Sequence, residues 1–241
     1  MASKESLQSA NHYGKLTAPY TRCLGIVLLS LMILSGCNSS SVYLDKFDSP
    51  TGSPPAQPQV GTSTISGDVV VVADPTNTNA ADHWLQLTRT APTATASYVG
   101  TLTTPVTAKG GVNFVGYIPS SSPIDLSVYF LPSSGPQGAP LLHVDLLPTG
   151  NIRLNDSDVV GTYNFNHLVG FFITFDLKAS PPTATVLIRG GAQDASKTVP
   201  VPASLAGFGF GKIEVDAPFE GVSAKPGKLL INDVIATRAS N

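Results

Sequence analysis

Hydrophobic and polar positions alternate in short segments along the chain from residue 42 onward. Each apolar run is bounded by Gly, Pro, Ser or Asn, and no stretch of helical period follows. Such runs predict β-strands, and their spacing predicts an all-β fold, an antiparallel β-sandwich. The predicted strands cover residues 42–47, 65–73, 84–90, 96–102, 112–118, 125–131, 141–147, 151–154, 162–166, 170–177, 183–189, 209–215 and 228–238.

The predicted strand 125–131 shows the alternation clearly. One of its faces carries Leu126, Val128 and Phe130, and the other carries Asp125, Ser127 and Tyr129. Successive side chains of a strand point to opposite faces of the sheet. The segment therefore has one apolar and one polar face.

The sequence around Gly150 predicts a hairpin whose register can be derived. If the loop is the Pro-Thr-Gly that ends at Gly150, Leu146 lies opposite Ile152 and Asp145 lies opposite Arg153. A two-residue loop would place Leu146 against Arg153 and break the alternation. Because a three-residue loop with glycine in the left-handed position is a common hairpin solution, we predict the three-residue loop.

This register places His143, Asp145, Arg153 and Asn155 on one sheet face. One interpretation is a structural salt bridge across neighbouring strands, which contributes a few tenths of a kcal/mol. The other is a glycan-contacting patch on the concave face. Trp84 is the only tryptophan and a second candidate, as a platform on which a sugar ring stacks; its alternative is a ring packed beneath a neighbouring loop.

The first 36 residues have the pattern of an export signal. Lys4, Lys15 and Arg22 form a charged region before an apolar run over residues 23–33. This run is shorter than the roughly 20 apolar residues that a membrane-spanning helix needs. A cleaved signal peptide is therefore favoured over a permanent span.

Leu34, Ser35, Gly36 and Cys37 follow this run and resemble a bacterial lipobox. The resemblance implies diacylglycerol on the Cys37 sulfur, cleavage before this residue and acylation of the new amino group. The alternative is an ordinary signal peptide whose cleavage site lies near a cysteine. Asn38 stands where an Asp would imply inner-membrane retention, so the resemblance favours the outer membrane of a bacterial cell envelope.

The expected organisation is a signal peptide over residues 1–36, a lipidated N-terminus and tether over 37–41, and one β-sandwich domain over 42–241. The four residues after the cysteine reach at most ~14 Å when extended. The domain is therefore expected to lie close to the membrane. The Pro-rich segment 49–62 predicts a long loop of the domain, and the alternative is that this segment is the true linker.

Charge and cysteine content narrow the possible functions. The whole chain has 14 basic and 16 acidic side chains, and without the four charged residues of the signal it has 11 and 15, a formal charge of −4. This balance disfavours nucleic acid, which needs basic patches. Cys23 and Cys37 leave no cysteine for a disulfide or a structural zinc site, and no cofactor or metal is expected.

Four segments carry a further resemblance: 44–48 (Leu-Asp-Lys-Phe-Asp), 150–154 (Gly-Asn-Ile-Arg-Leu), 172–177 (Phe-Ile-Thr-Phe-Asp-Leu) and 229–237 (Leu-Leu-Ile-Asn-Asp-Val-Ile-Ala-Thr). Together they resemble the recurrent strands of a concanavalin A-like, or laminin G-like, jelly roll. The resemblance implies that the first and last strands are neighbours. It does not select among the lectins, glycan-binding modules, glucanases and polysaccharide lyases that use this fold.

An enzyme on this fold would need its own signature. A glucanase needs paired carboxylates, and Glu214 and Asp216 begin the family's Glu-x-Asp-x-Glu pattern, but Pro218 stands where the third acid belongs. Both acids are therefore expected to be solvated charges at a strand end. A lyase needs a His or Tyr base beside cations, and no histidine after the signal lies in the Gln-x-His context of alginate lyases.

These observations predict a lipid-anchored envelope lipoprotein that is not an enzyme and that binds a glycan or another envelope component. The first alternative is a divergent polysaccharide-active enzyme on the same fold. The second is a structural or assembly lipoprotein without a small ligand.

Overall fold

Two antiparallel sheets pack face to face in the computed structural model, which describes residues 39–79, 81–91, 94–121, 123–135, 139–157, 159–217 and 226–239. The signal segment, the lipobox and Cys37 lie outside the described residues. In the described part of the chain, no helix is long and apolar enough to cross a membrane.

Fifteen strands and one helical turn occur within the described residues. They are β1 (Ser39–Asp45), β2 (Thr62–Ser66), β3 (Asp68–Ala73), β4 (His83–Arg89), β5 (Ala96–Val106), β6 (Lys109–Tyr117), β7 (Leu126–Pro132), β8 (Leu142–Leu146), β9 (Asn151–Leu154), β10 (Val159–Thr162), β11 (Leu168–Asp176), β12 (Thr183–Arg189), β13 (Ala195–Pro200), α1 (Ala203–Ala206), β14 (Phe210–Ala217) and β15 (Gly227–Ala239). Sheet A has the order β13-β12-β11-β6-β15-β4-β3, with β1 also paired to β15, and sheet B has the order β10-β9-β8-β7-β14-β5-β2. The all-β sandwich predicted from the sequence is confirmed.

Aromatic side chains join the two sheets in the core. Phe114 and Phe171 of sheet A stack with their ring centroids 4.7 Å apart. Phe175, also of sheet A, lies 5.1 Å from Phe210 and 5.8 Å from Phe130, both of sheet B. Each of these five rings is almost fully buried, and burying one such side chain stabilises the fold by about 1.5–3 kcal/mol.

The first and last strands are neighbours, as the jelly-roll resemblance implies. β1 pairs with the C-terminal half of β15, from Ser39 opposite Ala239 to Asp45 opposite Val234, and β4 pairs with its N-terminal half. The pairing of β15 with β6 is irregular at Asp233, whose φ is +50°. Such an extra residue bends and twists a strand locally, and here it lies where the partner strand of β15 changes from β4 to β1.

A buried polar network holds β1 on the sandwich. The Tyr98 hydroxyl donates a hydrogen bond to the Asp45 carboxylate and also bonds the Tyr43 hydroxyl. Burial raises the pKa of all three groups. Gly61 and Gly100 make this packing possible, because a Cβ at either position would lie 2.6 Å or less from the Tyr43 ring.

Several predicted strand boundaries were wrong. β1 begins at Ser39, so residues 39–41, assigned to the tether, pair with β15 instead. The predicted strand 65–73 is two strands, because Gly67 with a φ of +75° ends β2 in sheet B before β3 begins in sheet A. The predicted strand 162–166 lies earlier, as β10. β13 was not predicted, since this edge strand is largely polar and lacks a clear alternation.

The Pro-rich segment 49–62 is a packed loop, as predicted. Backbone hydrogen bonds join Gly52 and Ser53 to Val71 on the outer edge of β3. The Gln57 side-chain amide bonds both the N–H and the carbonyl of Ser63 on β2. Exposed strand edges invite pairing with other chains, and this loop covers part of one edge of each sheet.

Candidate functional site

The β8–β9 hairpin has the predicted register. Asp145 lies opposite Arg153 and Leu146 opposite Ile152. Gly150 closes the three-residue loop with a φ of +85°, the left-handed conformation that glycine adopts freely. The hairpin therefore projects its polar side chains on one side of sheet B and its leucine and isoleucine into the core.

These side chains belong to a larger polar face, defined here as the outer face of sheet B across β5, β14, β7, β8 and β9. Strand pairing aligns it in two rows. One row contains Ser97, Asp216, Ser127, Asp145 and Arg153, and the next contains Glu214, Tyr129 and His143, with Asn155 beside His143. The residues between them along each strand, such as Val128, Val144 and Val215, are fully buried in the core.

Asp145 is the centre of the polar face. Its carboxylate accepts hydrogen bonds from Arg153 Nε at 3.1 Å and Nη2 at 2.9 Å, and from Ser127 Oγ at 2.7 Å. Although burial opposes its charged form, contact with His143, Ser127 and Arg153 lowers the pKa of Asp145. A buried carboxylate with this many donors is a fixed anion at neutral pH.

His143 is packed between two carboxylates and an aromatic ring. Its Nε2 lies 2.6 Å from Asp145 Oδ1, an ion-pair contact when the imidazole is protonated. Its Nδ1 lies 3.6 Å from Asp156 Oδ2. The imidazole stacks on Tyr129 with centroids 4.2 Å apart. The His143 backbone accepts from the Asn155 N–H and donates to the Asn155 side chain.

His143, Asp145 and Asp156 form a group of three possible metal ligands in the described part of the chain. The Arg153 guanidinium lies 2.9 Å from Asp145 and 3.3 Å from Asp156, where it forms an ion pair with each carboxylate. Two ligands of a tetrahedral zinc ion lie about 3.4 Å apart, farther than the 2.6 Å between His143 and Asp145. The arrangement therefore fits an ion-pair network better than a metal centre.

Glu214 and Asp216 lie near the end of β14, as expected, but they are not fully solvated. Both are half-buried, opposite Tyr129 and Ser127. Burial, and then the nearby charge of Glu214, raises the pKa of Asp216 to about 7, and among the described residues its buried Oδ1 has no hydrogen-bond partner. The expectation of solvated charges was wrong because β7 lies alongside β14 and covers part of both side chains.

Asp125 directly precedes β7 and shares the side of Ser127 and Tyr129. It is 2% exposed, and neither carboxylate oxygen has a hydrogen-bond partner. Burial raises its pKa, Arg89 and Arg153 oppose the rise, and Asp145 adds to it. Since buried polar groups are nearly always hydrogen-bonded, this carboxyl group lacks a donor at the edge of the polar face.

Trp84 lies elsewhere, on the outer face of sheet A. It is 2% exposed and packs with Tyr117 and Leu230. Its Nε1 donates to Asp82 at 3.3 Å, and Asp82 also accepts from the Asn232 side chain at 3.0 and 3.1 Å. A covered indole offers no surface to a sugar ring, so Trp84 is not a stacking platform in this structure; its packing fits the alternative of a ring beneath a loop.

The loop between β3 and β4 is organised by Asp74. Its carboxylate accepts backbone and hydroxyl hydrogen bonds from Thr76 and Thr78, and a backbone bond from Asn79. Burial opposes ionisation, but these bonds lower the pKa of Asp74. Asp82 ends the same loop, so the loop carries the acceptor of the Trp84 indole.

Ser127, Tyr129 and Asp216 are site residues that the sequence analysis did not assign. The alternation in strand 125–131 already placed Ser127 and Tyr129 on one face, and this signal was sufficient to pair them with His143 and Asp145. Nothing local indicated that Asp216 of β14 lies beside β7, because these strands are far apart in the chain. Cys37 lies outside the described residues, so its lipidation stays a prediction.

Comparisons with known proteins identify the fold. No protein-family model and no curated protein matches the sequence. Among solved structures, peanut lectin with a nine-residue peptide is 14% identical, with a TM-score of 0.53, over 85% of this chain and 99% of that chain. The lectin UEA-II complexed with galactose is 13% identical, with a TM-score of 0.51, over 83% and 98%. The winged bean acidic lectin complexed with methyl-α-D-galactose is 10% identical, with a TM-score of 0.51, over 85% and 99%.

The chain therefore has the lectin-like, concanavalin A-like jelly-roll fold, as the sequence resemblance predicted. Identities of 10–14% show the fold alone, and a fold of this kind hosts several functions.

Proposed function

We propose that the protein binds a glycan through the polar face of sheet B, without catalysing a reaction on it. The observation that carries the proposal is the aligned pair of rows centred on Asp145, in which charged, amide and hydroxyl side chains lie beside a partly exposed tyrosine.

The chemistry of the polar face suits a sugar. Sugar hydroxyls donate and accept hydrogen bonds, and Arg153, Asn155 and the carboxylates offer both functions in planar groups. The Tyr129 ring is partly exposed and offers an apolar surface to a sugar ring. Two hydrogen bonds already hold Arg153 on Asp145, so little side-chain freedom is lost on binding.

The fold supports the proposal by analogy only. Two of the lectins with this fold are complexed with galactose or its methyl glycoside. The galactose ligand is a property of those lectins. The glycan that we propose for this chain is argued from the residues of its own polar face.

Hydrolysis is a second candidate, favoured by one observation. Asp216 has a pKa raised to about 7 by burial and by neighbouring Glu214, and a general acid needs such a pKa. We favour binding because the residues after Asp216 are Ala217 and Pro218, so the third acid of the glucanase pattern is missing.

Binding can be tested on a glycan array with the purified chain, followed by titration of the best ligand. Arg153→Ala should weaken binding at least tenfold. Arg189→Ala is a matched control, because Arg189 is also paired with aspartate, has a side chain as exposed as that of Arg153 and lies on β12 of sheet A. Equal losses for both variants, or no bound glycan, would contradict the proposal, and release of reducing sugar would favour hydrolysis.

We propose further that lipid on Cys37 holds this domain on a bacterial envelope membrane, with the outer membrane favoured. Because β1 begins at Ser39, only Cys37 and Asn38 would separate the lipid from the sandwich, a reach of about 7 Å. Cys37→Ser should move the protein from the membrane fraction to the soluble fraction with its thermal unfolding unchanged. A variant that stays with the membrane would refute the anchor.

A further inference from the structure

The charge distribution on the polar face bears on which glycans it accepts. Arg153 is engaged by Asp145 and Asp156, and His143 lies between the same two carboxylates. Neither basic side chain is left to neutralise an acidic sugar. An anionic ligand would therefore meet carboxylates whose cationic partners are already occupied.

Glu214 and Asp216 form an acidic pair on the same face. They stand at alternate positions of β14, so their side chains share one side of sheet B. No ion pair within the described residues involves either of them. A protonated His143 would lower the pKa of Asp216 by its charge, and Lys212 lies further along β14, beyond Glu214.

Hydrogen-bond donors are lacking at two carboxyl groups of this face. Among the described residues, Asp216 Oδ1 is buried without a hydrogen-bond partner, and so are both oxygens of Asp125, which is 2% exposed. Burial raises the pKa of Asp125, the charges of Arg89 and Arg153 oppose this rise, and the charge of Asp145, at the centre of the face, adds to it. These oxygens are covered, so a ligand reaches the half-buried carboxylates of Glu214 and Asp216 instead, and N–H donors complement such acceptors.

We infer that the polar face prefers glycans with free, protonated amino groups and disfavours uronates. The ammonium group of an amino sugar brings three donors and a positive charge, and both match the Glu214–Asp216 pair. A uronate brings a further carboxylate next to this pair. The inference rests on the proposed function, since it names the glycan class for the same face.

The test compares three tetrasaccharides at pH 7 by calorimetry with the full chain: β-1,4-linked glucosamine, its N-acetylated form and 1,4-linked galacturonate. We expect the glucosamine tetramer to bind at least threefold tighter than the acetylated one and at least tenfold tighter than the galacturonate. Binding of the amine should also favour the ionised form of Asp216, whose pKa is near 7, so the net proton exchange on binding should differ between the parent chain and Asp216→Asn. The measured heat should therefore depend on the buffer to a different extent in the two chains.

Asp216→Asn tests whether the Asp216 carboxylate causes the preference for the amine. It should abolish the preference for the amine, so that the variant binds the glucosamine and the acetylated tetramers with affinities within about twofold of each other. Asp68→Asn changes the net charge equally at an exposed position on β3 of sheet A, and it should retain the preference. An equal effect of both variants would show a response to net charge and overturn the inference.

The remaining outcomes separate the inference from the proposed function. If the acetylated tetramer binds without any preference for the amine, the inference fails and glycan binding stands. If galacturonate binds equally well or better, the inference also fails. If none of the three binds while the array yields another glycan, the preference for amino sugars is wrong and the polar face remains the binding site.

Discussion

The outer faces of the two sheets make opposite use of aspartate. On sheet A, Asp74 and Asp82 hold a loop beside an apolar cluster of Trp84, Tyr117 and Leu230. On sheet B, the buried Asp145 joins side chains from three strands in a polar network, in which Arg153 is one-third exposed. The first arrangement covers an apolar surface, and the second leaves a polar edge that we propose as the site of a polar ligand.

The difference shows which residues indicate a site on this fold. A single aromatic residue on an outer face is stabilised when neighbouring groups cover its hydrophobic surface, as they do for Trp84. Polar residues at matched positions of adjacent strands satisfy one another and still keep donors and acceptors at the surface. Cross-strand register is therefore a better guide to function here than the presence of a tryptophan.

Trp84→Ala should have the largest effect on stability. Loss of a buried tryptophan costs about 3–5 kcal/mol of unfolding free energy, and urea titration measures it. Affinity for a glycan should stay within about twofold, because the ring lies on the other sheet. Trp84→Phe is the control and should cost less. Loss of binding with stability intact would show that the two outer faces do not have separate roles.

Asp145→Asn should have the next largest effect, about 2 kcal/mol at pH 7. Removing one partner of a buried ion pair is costly, but solvent compensates in part because Arg153 is one-third exposed. The pKa of Asp145 is lowered in the folded protein. Its contribution is therefore present above the unfolded pKa near 3.8 and is lost as the pH falls through the lower folded pKa.

Urea titrations from pH 7 down to pH 2 check this prediction. The unfolding free energies of the parent chain and the variant should converge at the acid end. Asp194→Asn is the control, since Asp194 pairs with Arg189 at the surface of sheet A and is half-exposed; it should cost less than about 0.5 kcal/mol. An equal loss in both variants would contradict the central role of Asp145.

Asp216→Asn should have the smallest effect and the opposite sign. Because burial raises the folded pKa of Asp216 to about 7, the folded state disfavours its ionisation. Below the unfolded pKa near 3.8, Asp216 is protonated in both states and its ionisation costs nothing. As the pH rises from there to about 7, the unfolding free energy of the parent chain therefore declines. The variant should be more stable by about 1 kcal/mol at pH 8, after allowance for partial solvent exposure, and equal at pH 3. If the variant were stabilised equally at pH 3 and pH 8, the predicted role of Asp216 ionisation would be contradicted.

Local pattern predicted much of this molecule. The core strands, the β8–β9 register and the grouping of His143, Asp145, Arg153 and Asn155 follow from alternation and from loop length, which act over a few residues. The pairing of Asp216 with Ser127 does not, because it joins strands that are distant in the sequence. The edge strand β13 was missed because most of its side chains are exposed and polar. A strand of this kind lacks the alternation of apolar and polar residues that predicts a strand.

The two-faced strands and the turn at Gly150 follow from the amino-acid pattern, and the lipobox resemblance predicts an attachment at Cys37. That Trp84 is covered and that Glu214 and Asp216 stand beside the Asp145 cluster follows from tertiary packing. Alternation tells which residues share a face, whereas the order of strands in a sheet and the position of a loop over it depend on contacts between distant segments.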